Sequence, residues 1–116
     1  MLSSTCIFCK IIQKTIPSTT VAENDHVLVV QDIAPKAPIH YLIIPKIHVE
    51  SITAFADKDA AYCWHMMHMA RELGNKIPSQ AFNIIINNGA AAGQSVMHLH
   101  LHFISGKNIY HQGFSL

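Results

Sequence analysis

The chain has 116 residues, of which half are hydrophobic and only 13% are charged, and its formal net charge is +1. This length predicts one domain over residues 1–116 with a hydrophobic core of its own. The balanced charge argues against nucleic-acid binding through the phosphate backbone, and no apolar run approaches the roughly 20 residues of a membrane span. Three cysteines without an export signal predict a reducing compartment, by default the cytoplasm.

Apolar periodicity and turn residues predict five strands and two helices. In chain order, these are a short helix at 6–14, strands at 21–23, 27–31 and 41–44, a long helix ending near 73, and strands at 82–86 and 96–104. The links at 23–27 and 32–40 are too short for helical crossovers. The sequence therefore predicts an α+β fold, with an antiparallel sheet and a helix on one face.

The long helix is expected to be capped by Asp57 or Asp59 and to end before Gly74 in the C′ position. Its apolar positions at helical spacing are Ala60, Cys63, Trp64, Met67 and Ala70, and Cys63 is expected to be buried. His65 and His68 on this helix are interpreted as surface or dimer-interface residues. The low charged fraction also favours apolar surface buried against a second copy of the chain.

The segment Val96–Ile104 alternates histidine and apolar residues at a period of two. On a strand this period would place His98, His100 and His102 on one face, about 6.5 Å apart, and Met97, Leu99, Leu101 and Phe103 on the other. The histidine face is either a solvated polar face or a reaction surface. Because a histidine switches its charge near neutrality, it can act as a nucleophile, a general acid or a phosphate donor.

A turn-rich loop at 87–95 precedes the histidines. Gly89 and Gly93 would let backbone N–H groups form an anion-binding nest, to which Gln94, Ser95 and Asn87 could add side-chain donors. Zinc is an alternative ligand, since His-x-His on a strand can present two imidazoles to a metal. Spacing alone does not separate metal binding from phosphate chemistry.

The pair Cys6-x-x-Cys9 has the spacing of zinc ligands and also of a redox pair. A redox pair is expected after a strand, at the start of a long helix in a βαβ unit. This pair opens the chain instead, which disfavours the redox interpretation. The remaining alternatives are a metal site and simple packing of two small side chains.

The segment Gly93–Ile104 closely resembles the signature of the histidine triad (HIT) superfamily, His-φ-His-φ-His-φφ, in which φ is apolar. Other segments match the family in the same order, at 6–12, 16–17, 32–35, 37–40 and 43–48. The short chain and the Gln-Ser pair before the triad resemble most the Hint branch, the histidine triad nucleotide-binding proteins.

This resemblance implies a homodimer in which two sheets join, and hydrolysis of a purine nucleoside 5′-phosphoramidate without a catalytic cofactor. His100 would be the nucleophile that forms a nucleotidyl-histidine intermediate, and His102 would bind phosphate oxygens or assist the leaving group. Asp32 would accept both ribose hydroxyls. Ser95 and Asn87 would contact the phosphate or the leaving group, and His40, near the nucleophile, would have a supporting role. Gly93 and Gln94 of the loop are further predicted substrate-binding residues.

The resemblance also implies two further groups of residues. The base pocket would be apolar and formed by Phe8, Ile11, Ile16, Val30, Ile33 and Leu42, each of which could equally be plain core. A structural zinc would be held by Cys6, Cys9, His48 and His98. Two other functions remain open: a nucleotide-binding or partner-binding module with incidental hydrolysis, and a metalloenzyme that uses the triad as ligands.

Two features depart from the family pattern. Ala92 stands where a glycine is common, so the loop would be strained if that position required a positive φ. The tail at 110–116 does not match, and in the family this tail can reach the partner's site and shape leaving-group preference.

Overall fold

A computed structural model describes residues 2–112 of the chain. It contains one antiparallel five-stranded sheet, in the order β1-β2-β3-β5-β4. The strands are β1 (Thr20–Glu23), β2 (Val27–Gln31), β3 (Ile39–Pro45), β4 (Asn83–Ile85) and β5 (Leu101–Ser105), and the helices are α1 (Ile7–Ile12) and α2 (Ala61–Asn75). Short 3₁₀ turns lie at Ile52–Ala54, Asp57–Asp59, Ala90–Ala92 and Ile109–Gln112. The predicted α+β class and the predicted number of strands are confirmed.

The central strands are covered on both faces. On one face Val27, Val29 and Ile43 pack in a core that includes Met66 and Leu73 of α2. On the other face a second core forms around Phe8 of α1, with Leu28, Val30, Leu42 and Ile44. This two-sided burial explains why β2 reads as an uninterrupted apolar run rather than as an alternating one.

Helix α2 begins and packs differently from the prediction. Asp57 and Asp59 form a separate 3₁₀ turn, and the helix starts at Ala61 without a side-chain cap. Its buried stripe is Met66, Met69, Ala70, Leu73 and Gly74, so Ala70 alone of the spaced apolar positions is fully buried. The predicted and the observed buried sets both have helical spacing. Contact with the sheet buries the set that contains Met66 and Leu73, which leaves Trp64 60% and Met67 51% exposed.

Gly74 lies inside α2, which continues to Asn75, so the prediction of a C′ glycine was wrong. A Cβ at this position would stand 2.5 Å from the Phe82 ring. The glycine therefore allows the chain before β4 to pack closely on the helix.

The predicted last strand is shorter than its histidine pattern. β5 starts at Leu101, so only His102 of the three histidines lies on a strand. Ahead of it, the Leu99 N–H donates to the Val49 carbonyl at 2.7 Å, outside the sheet. Because the chain bends over 96–98, Met97 is 42% exposed whereas His98 is fully buried, contrary to the predicted alternation.

Within residues 2–112, neither helix has the length and apolar composition needed to cross a bilayer. Of the non-matching tail, residues 113–116 lie outside the described part of the chain.

Candidate active site

Four sequence-predicted metal ligands meet beside the first turn of α1. One donor atom each from Cys6, Cys9, His48 and His98 lies within 4.8 Å of the others, and we call this group the cysteine cluster. Cys6 is the N-cap of α1, and its Sγ accepts from the Cys9 N–H at 3.5 Å. One helical turn thus places both thiols on the same side of the helix.

The distances in the cysteine cluster fit a zinc ion. The Cys6 Sγ lies 3.3 Å from the His98 Nδ1, and the Cys9 Sγ lies 3.3 Å from the His48 Nδ1 and 3.5 Å from the His98 Nδ1. Ideal tetrahedral bonds of about 2.3 Å to sulfur and about 2.0–2.1 Å to nitrogen would separate such atoms by about 3.6 Å. Two cysteine sulfurs and two histidine nitrogens are also a donor set that zinc commonly has in closed structural sites.

The second ring nitrogen of His98 is consistent with a ligand role. Its Nε2–H donates to the Pro45 carbonyl at 3.1 Å, so the Nδ1 lone pair faces the two thiols. Burial lowers the pKa of His98 to about 4, which keeps the ring neutral near pH 7. Burial also raises the pKa of the Cys9 thiol. A bound cation would oppose that shift, because the thiolate is the form that binds a metal.

His100 stands next to the cysteine cluster with one free ring nitrogen. Its Nδ1–H donates to the His98 carbonyl at 2.8 Å, and the Phe8 ring packs edge-on against it with centroids 5.0 Å apart. Among the described side chains no fully buried nitrogen or oxygen lacks a partner, so the unpaired Nε2 must reach solvent. Burial of the ring lowers the pKa of His100, which favours the neutral form with a lone pair on Nε2.

A second group, which we call the aspartate cluster, contains Asp32, His40 and His102. The His40 Nε2 lies 2.9 Å from the His102 Nδ1 and 3.3 Å from the Asp32 Oδ2. On its other side the His40 Nδ1 accepts from the Lys36 N–H at 3.0 Å. Burial, with smaller contributions from His100 and His40, lowers the pKa of His102 to about 4. The His102 ring is next to that of His100, with centroids 5.1 Å apart.

The turn-rich loop at 87–95, which we call the glycine loop, has positive φ values at its glycines. Gly89 and Gly93 have φ values of +92° and +96°, and Ala92 lies in a 3₁₀ turn without a positive φ. The strain considered for Ala92 is therefore absent. However, the N–H groups of Ala92, Gly93 and Gln94 donate to carbonyls of the same loop, so these amides are not directed at an anion.

Gln94 is committed to the loop rather than to a ligand. It is 4% exposed, its amide donates to the Glu50 and Val96 carbonyls, and its Oε1 accepts from the Gly89 N–H. Its side chain therefore has no donor left for a phosphate.

Ser95 and Asn87 differ from Gln94 in this respect. Ser95 is exposed and Asn87 is half-buried next to Gly93, and neither side chain forms a hydrogen bond in the part of the chain that the structure describes. These two residues are available as the polar groups of the loop.

The apolar residues predicted to form a base pocket separate into three groups. Phe8, Val30 and Leu42 are buried in the second core, and Ile11 packs against it. Ile16 is half-buried outside that core. Ile33 is fully exposed directly after Asp32. Four of the six therefore belong to the second core or pack against it, and Phe8 contacts the His98 and His100 rings. Ile33 is the member that projects into solvent.

Two groups that shape the site were missed in the sequence. The Lys36 amide and the Pro45 carbonyl each bind one ring nitrogen of a histidine. Both are backbone groups that every residue type carries, so no sequence signal could have identified them.

Comparisons with known proteins agree with this geometry. A family model described as the HIT domain matches residues 13–109. A HIT-like protein of Synechocystis, itself uncharacterised, is 40% identical over 102 residues, which cover 87% of this chain and 90% of the relative.

Solved structures also match closely. A histidine triad protein from Clostridium difficile superposes with a TM-score of 0.89 at 38% identity, covering 94% of this chain and 96% of that one. A HIT family hydrolase from Legionella pneumophila superposes with a TM-score of 0.84 at 36% identity, covering 90% and 96%. The resemblance found in the histidine segment is confirmed, and the chain belongs to the HIT family.

Proposed function

We propose that this protein hydrolyses purine nucleoside 5′-phosphoramidates through a nucleotidyl-histidine intermediate on His100. The observation that carries the proposal is the orientation of this ring. Its Nδ1–H is held by the His98 carbonyl, so the Nε2 lone pair is directed out of the protein beside His102. A fixed neutral imidazole with an accessible lone pair is a competent nucleophile at phosphorus.

The reaction has two displacements. In the first, the His100 Nε2 attacks the α-phosphorus, the bond from phosphorus to the amine nitrogen breaks, and the amine leaves with a proton taken from solvent. In the second, water attacks the phosphorus and loses a proton to solvent, the bond from phosphorus to His100 breaks, and a nucleoside 5′-monophosphate is released. His102 would supply a hydrogen bond to the phosphoryl oxygens or to the leaving nitrogen.

The surrounding groups support a nucleotide as the substrate. The Asp32 carboxylate accepts from the Ala34 N–H through Oδ1, and its Oδ2 lies at the edge of the aspartate cluster, where it could accept ribose hydroxyls. Ser95 and Asn87 have free polar side chains for the phosphate or the leaving group. Hydrolysis is further supported by the Legionella neighbour, which is named a hydrolase.

The test is turnover of adenosine 5′-phosphoramidate by the purified chain and by His100→Ala. We expect kcat to fall at least about 10³-fold, as when a nucleophile is removed from an enzyme. His26→Ala is the matched control, because His26 stacks on His65 of α2, in neither cluster. Undiminished turnover by His100→Ala would exclude this residue as the nucleophile.

The second candidate is a nucleotide-binding module with incidental hydrolysis. It is favoured by the three hydrogen bonds that the Gln94 side chain makes within its own surroundings, which leave it no donor for a reacting group. Tight binding of adenosine monophosphate with negligible turnover across varied amine leaving groups would establish it.

We also propose that the cysteine cluster holds a structural zinc ion. Such an ion would supply a closed cross-link between α1, the segment after β3 and the segment before β5, and no step of the reaction is assigned to it. The support is the set of sulfur–nitrogen distances, 3.3–3.5 Å, and the bond from His98 to Pro45 that leaves Nδ1 available as a ligand.

Finally, we propose a homodimer that joins two sheets at β4. This strand lies at the edge of the sheet. Exposed apolar side chains lie directly before and after this strand and on α2, namely Phe82, Ile86, Trp64 and Met67. Exposed apolar residues together with an open strand edge are typical of an interface between copies. A monomer by light scattering at micromolar concentration would refute this assembly.

A further inference from the structure

We infer that His40 is a positioning residue, and that the peptide N–H of Lys36 fixes its tautomer so that His102 presents a proton, not a lone pair, on its outer nitrogen. The role of that proton in hydrolysis rests on the proposed function. The arrangement of the protons rests only on the hydrogen bonds of the aspartate cluster.

The first step is set by a backbone group. A peptide N–H can only donate, and the Lys36 N–H lies 3.0 Å from the His40 Nδ1. The His40 Nδ1 must therefore carry a lone pair. In a histidine with one bare nitrogen, the proton is on the other nitrogen, which here is Nε2.

The second step concerns the hydrogen bond that this proton makes to the neighbouring ring. The His40 Nε2–H has the His102 Nδ1 at 2.9 Å and the Asp32 Oδ2 at 3.3 Å, and both atoms can accept. His102 is neutral near pH 7, since burial lowers its pKa to about 4. With Nδ1 accepting, the single proton of His102 resides on Nε2.

The two adjacent triad histidines consequently have opposite tautomers. His100 donates through Nδ1 to the His98 carbonyl and keeps a lone pair on Nε2. His102 accepts through Nδ1 and keeps a proton on Nε2. The Nε2 atoms of both rings reach solvent, because no described buried nitrogen is without a partner. One ring can thus attack while the other donates, without any rearrangement of protons beforehand.

The loop that carries Lys36 is held in place at both ends. The Asp32 N–H donates to the His40 carbonyl at 2.9 Å, which closes the loop at its base. Farther along, Pro38 packs against Gly106, where an added Cβ would lie 3.1 Å from the proline ring. The Lys36 amide is therefore a fixed donor, although the residue itself is exposed.

The experiment is nitrogen-15 NMR of the histidine rings in the full-length protein, which distinguishes the two neutral tautomers by the proton couplings of each ring nitrogen. In the unaltered chain we expect His40 and His102 both protonated on Nε2, and His100 protonated on Nδ1. A His102 ring protonated on Nδ1 would overturn the inference directly.

The key variant is Lys36→Pro, which removes the N–H, and Lys36→Ala is its matched control, because it keeps the amide. We expect mixed tautomers for His40 and His102 in Lys36→Pro alone, with kcat for the phosphoramidate about 10-fold lower and KM changed less than twofold. Unaltered tautomers and kcat in Lys36→Pro would contradict the inference.

A second pair covers the case in which Lys36→Pro does not fold. His40→Gln retains an N–H donor near the position of the ring Nε2, whereas His40→Leu removes it. We expect His40→Gln to keep the His102 tautomer and most of kcat, and His40→Leu to lose both. Equal losses in the two variants would indicate a merely structural role. Because the spectra do not require turnover, an inactive protein with the expected tautomers would refute the proposed function alone.

Discussion

The cysteine cluster and the aspartate cluster both gather donor atoms within 4.8 Å, yet their histidines direct opposite groups into the cluster. His98 donates its Nε2–H outward to the Pro45 carbonyl and turns a lone pair toward two thiols. His40 accepts the Lys36 N–H from outside and turns a proton toward His102 and Asp32. The outer hydrogen bond thus decides what each cluster can bind.

The difference has a chemical consequence. A metal needs bare nitrogens and thiolates, which the cysteine cluster can supply. In the aspartate cluster a metal on the His40 Nε2 would require a proton on Nδ1, directly opposite the Lys36 N–H. Although the donor atoms are similarly close in both groups, the cysteine cluster therefore favours a cation and the aspartate cluster favours a chain of hydrogen bonds.

Among the changes that separate the two clusters, the largest effect is expected from His102→Asn, which breaks the aspartate cluster alone. Loss of the Nε2–H donor should lower kcat for the phosphoramidate by about 10²- to 10³-fold. Zinc content measured by plasma mass spectrometry should stay unchanged, because His102 is not a member of the cysteine cluster. A parallel loss of zinc would mean that the two clusters are not separate.

Cys9→Ser breaks the cysteine cluster alone. We expect bound zinc to be lost and, if zinc is present at 100 times its Kd, stability to fall by about 2.7 kcal/mol. This corresponds to a Tm lower by about 10 °C in a scanning calorimeter. Cys63→Ser is the matched control, since Cys63 lies on α2 outside the cluster. Retention of one zinc per chain in Cys9→Ser would refute the site.

Gln94→Ala is expected to disturb the cysteine cluster and the neighbouring His100, since Gln94 bonds to the Glu50 carbonyl, two residues after His48, and to the Val96 carbonyl, two residues before His98. Leaving these buried groups unpaired should cost about 2 kcal/mol in urea unfolding. Zinc affinity and kcat should both decline. An unchanged unfolding midpoint would show that the hydrogen bonds of the Gln94 side chain are dispensable for stability.

The smallest effect, taken per pH unit, is a pH dependence of stability in the metal-free chain. The pKa of His102 falls from 6.5 to about 4 on folding, because of burial and the nearby rings of His100 and His40, opposed by Asp32. Between these values the unfolded state binds more protons, so stability decreases as the pH falls from 6.5 toward 4. The slope from this group cannot exceed about 1.4 kcal/mol per pH unit. His102→Asn should flatten it, and an identical slope in both proteins would contradict the assignment.

Sequence patterns predicted the sheet well and the details of its last strand poorly. The first four residues of Val27–Gln31 are apolar and three of them are valines, which predicts a strand whatever packs against it. The alternating pattern at 96–104 instead predicts one continuous strand. Its first half bends, since Leu99 bonds to Val49 and not to the sheet. Periodicity indicates which residues can share a face, but the hydrogen-bond partner of each backbone amide depends on segments that are distant in the sequence.

The same limit applies to α2. Trp64 and Met67 have helical spacing as good as that of Met66 and Leu73, and only the position of the sheet selects the stripe that is buried. Gly74 had the pattern of a helix end, whereas close packing of Phe82 is what requires it.

By itself, the sequence determined the family, the antiparallel α+β class and the chemical character of the site, because these depend on which residue types stand at which spacing. Only the tertiary structure decided which histidine nitrogens carry protons. That choice is made by the Pro45 carbonyl, the His98 carbonyl and the Lys36 amide. Since these are backbone groups common to all residues, their position in space, and not their identity, separates a metal site from a proton donor.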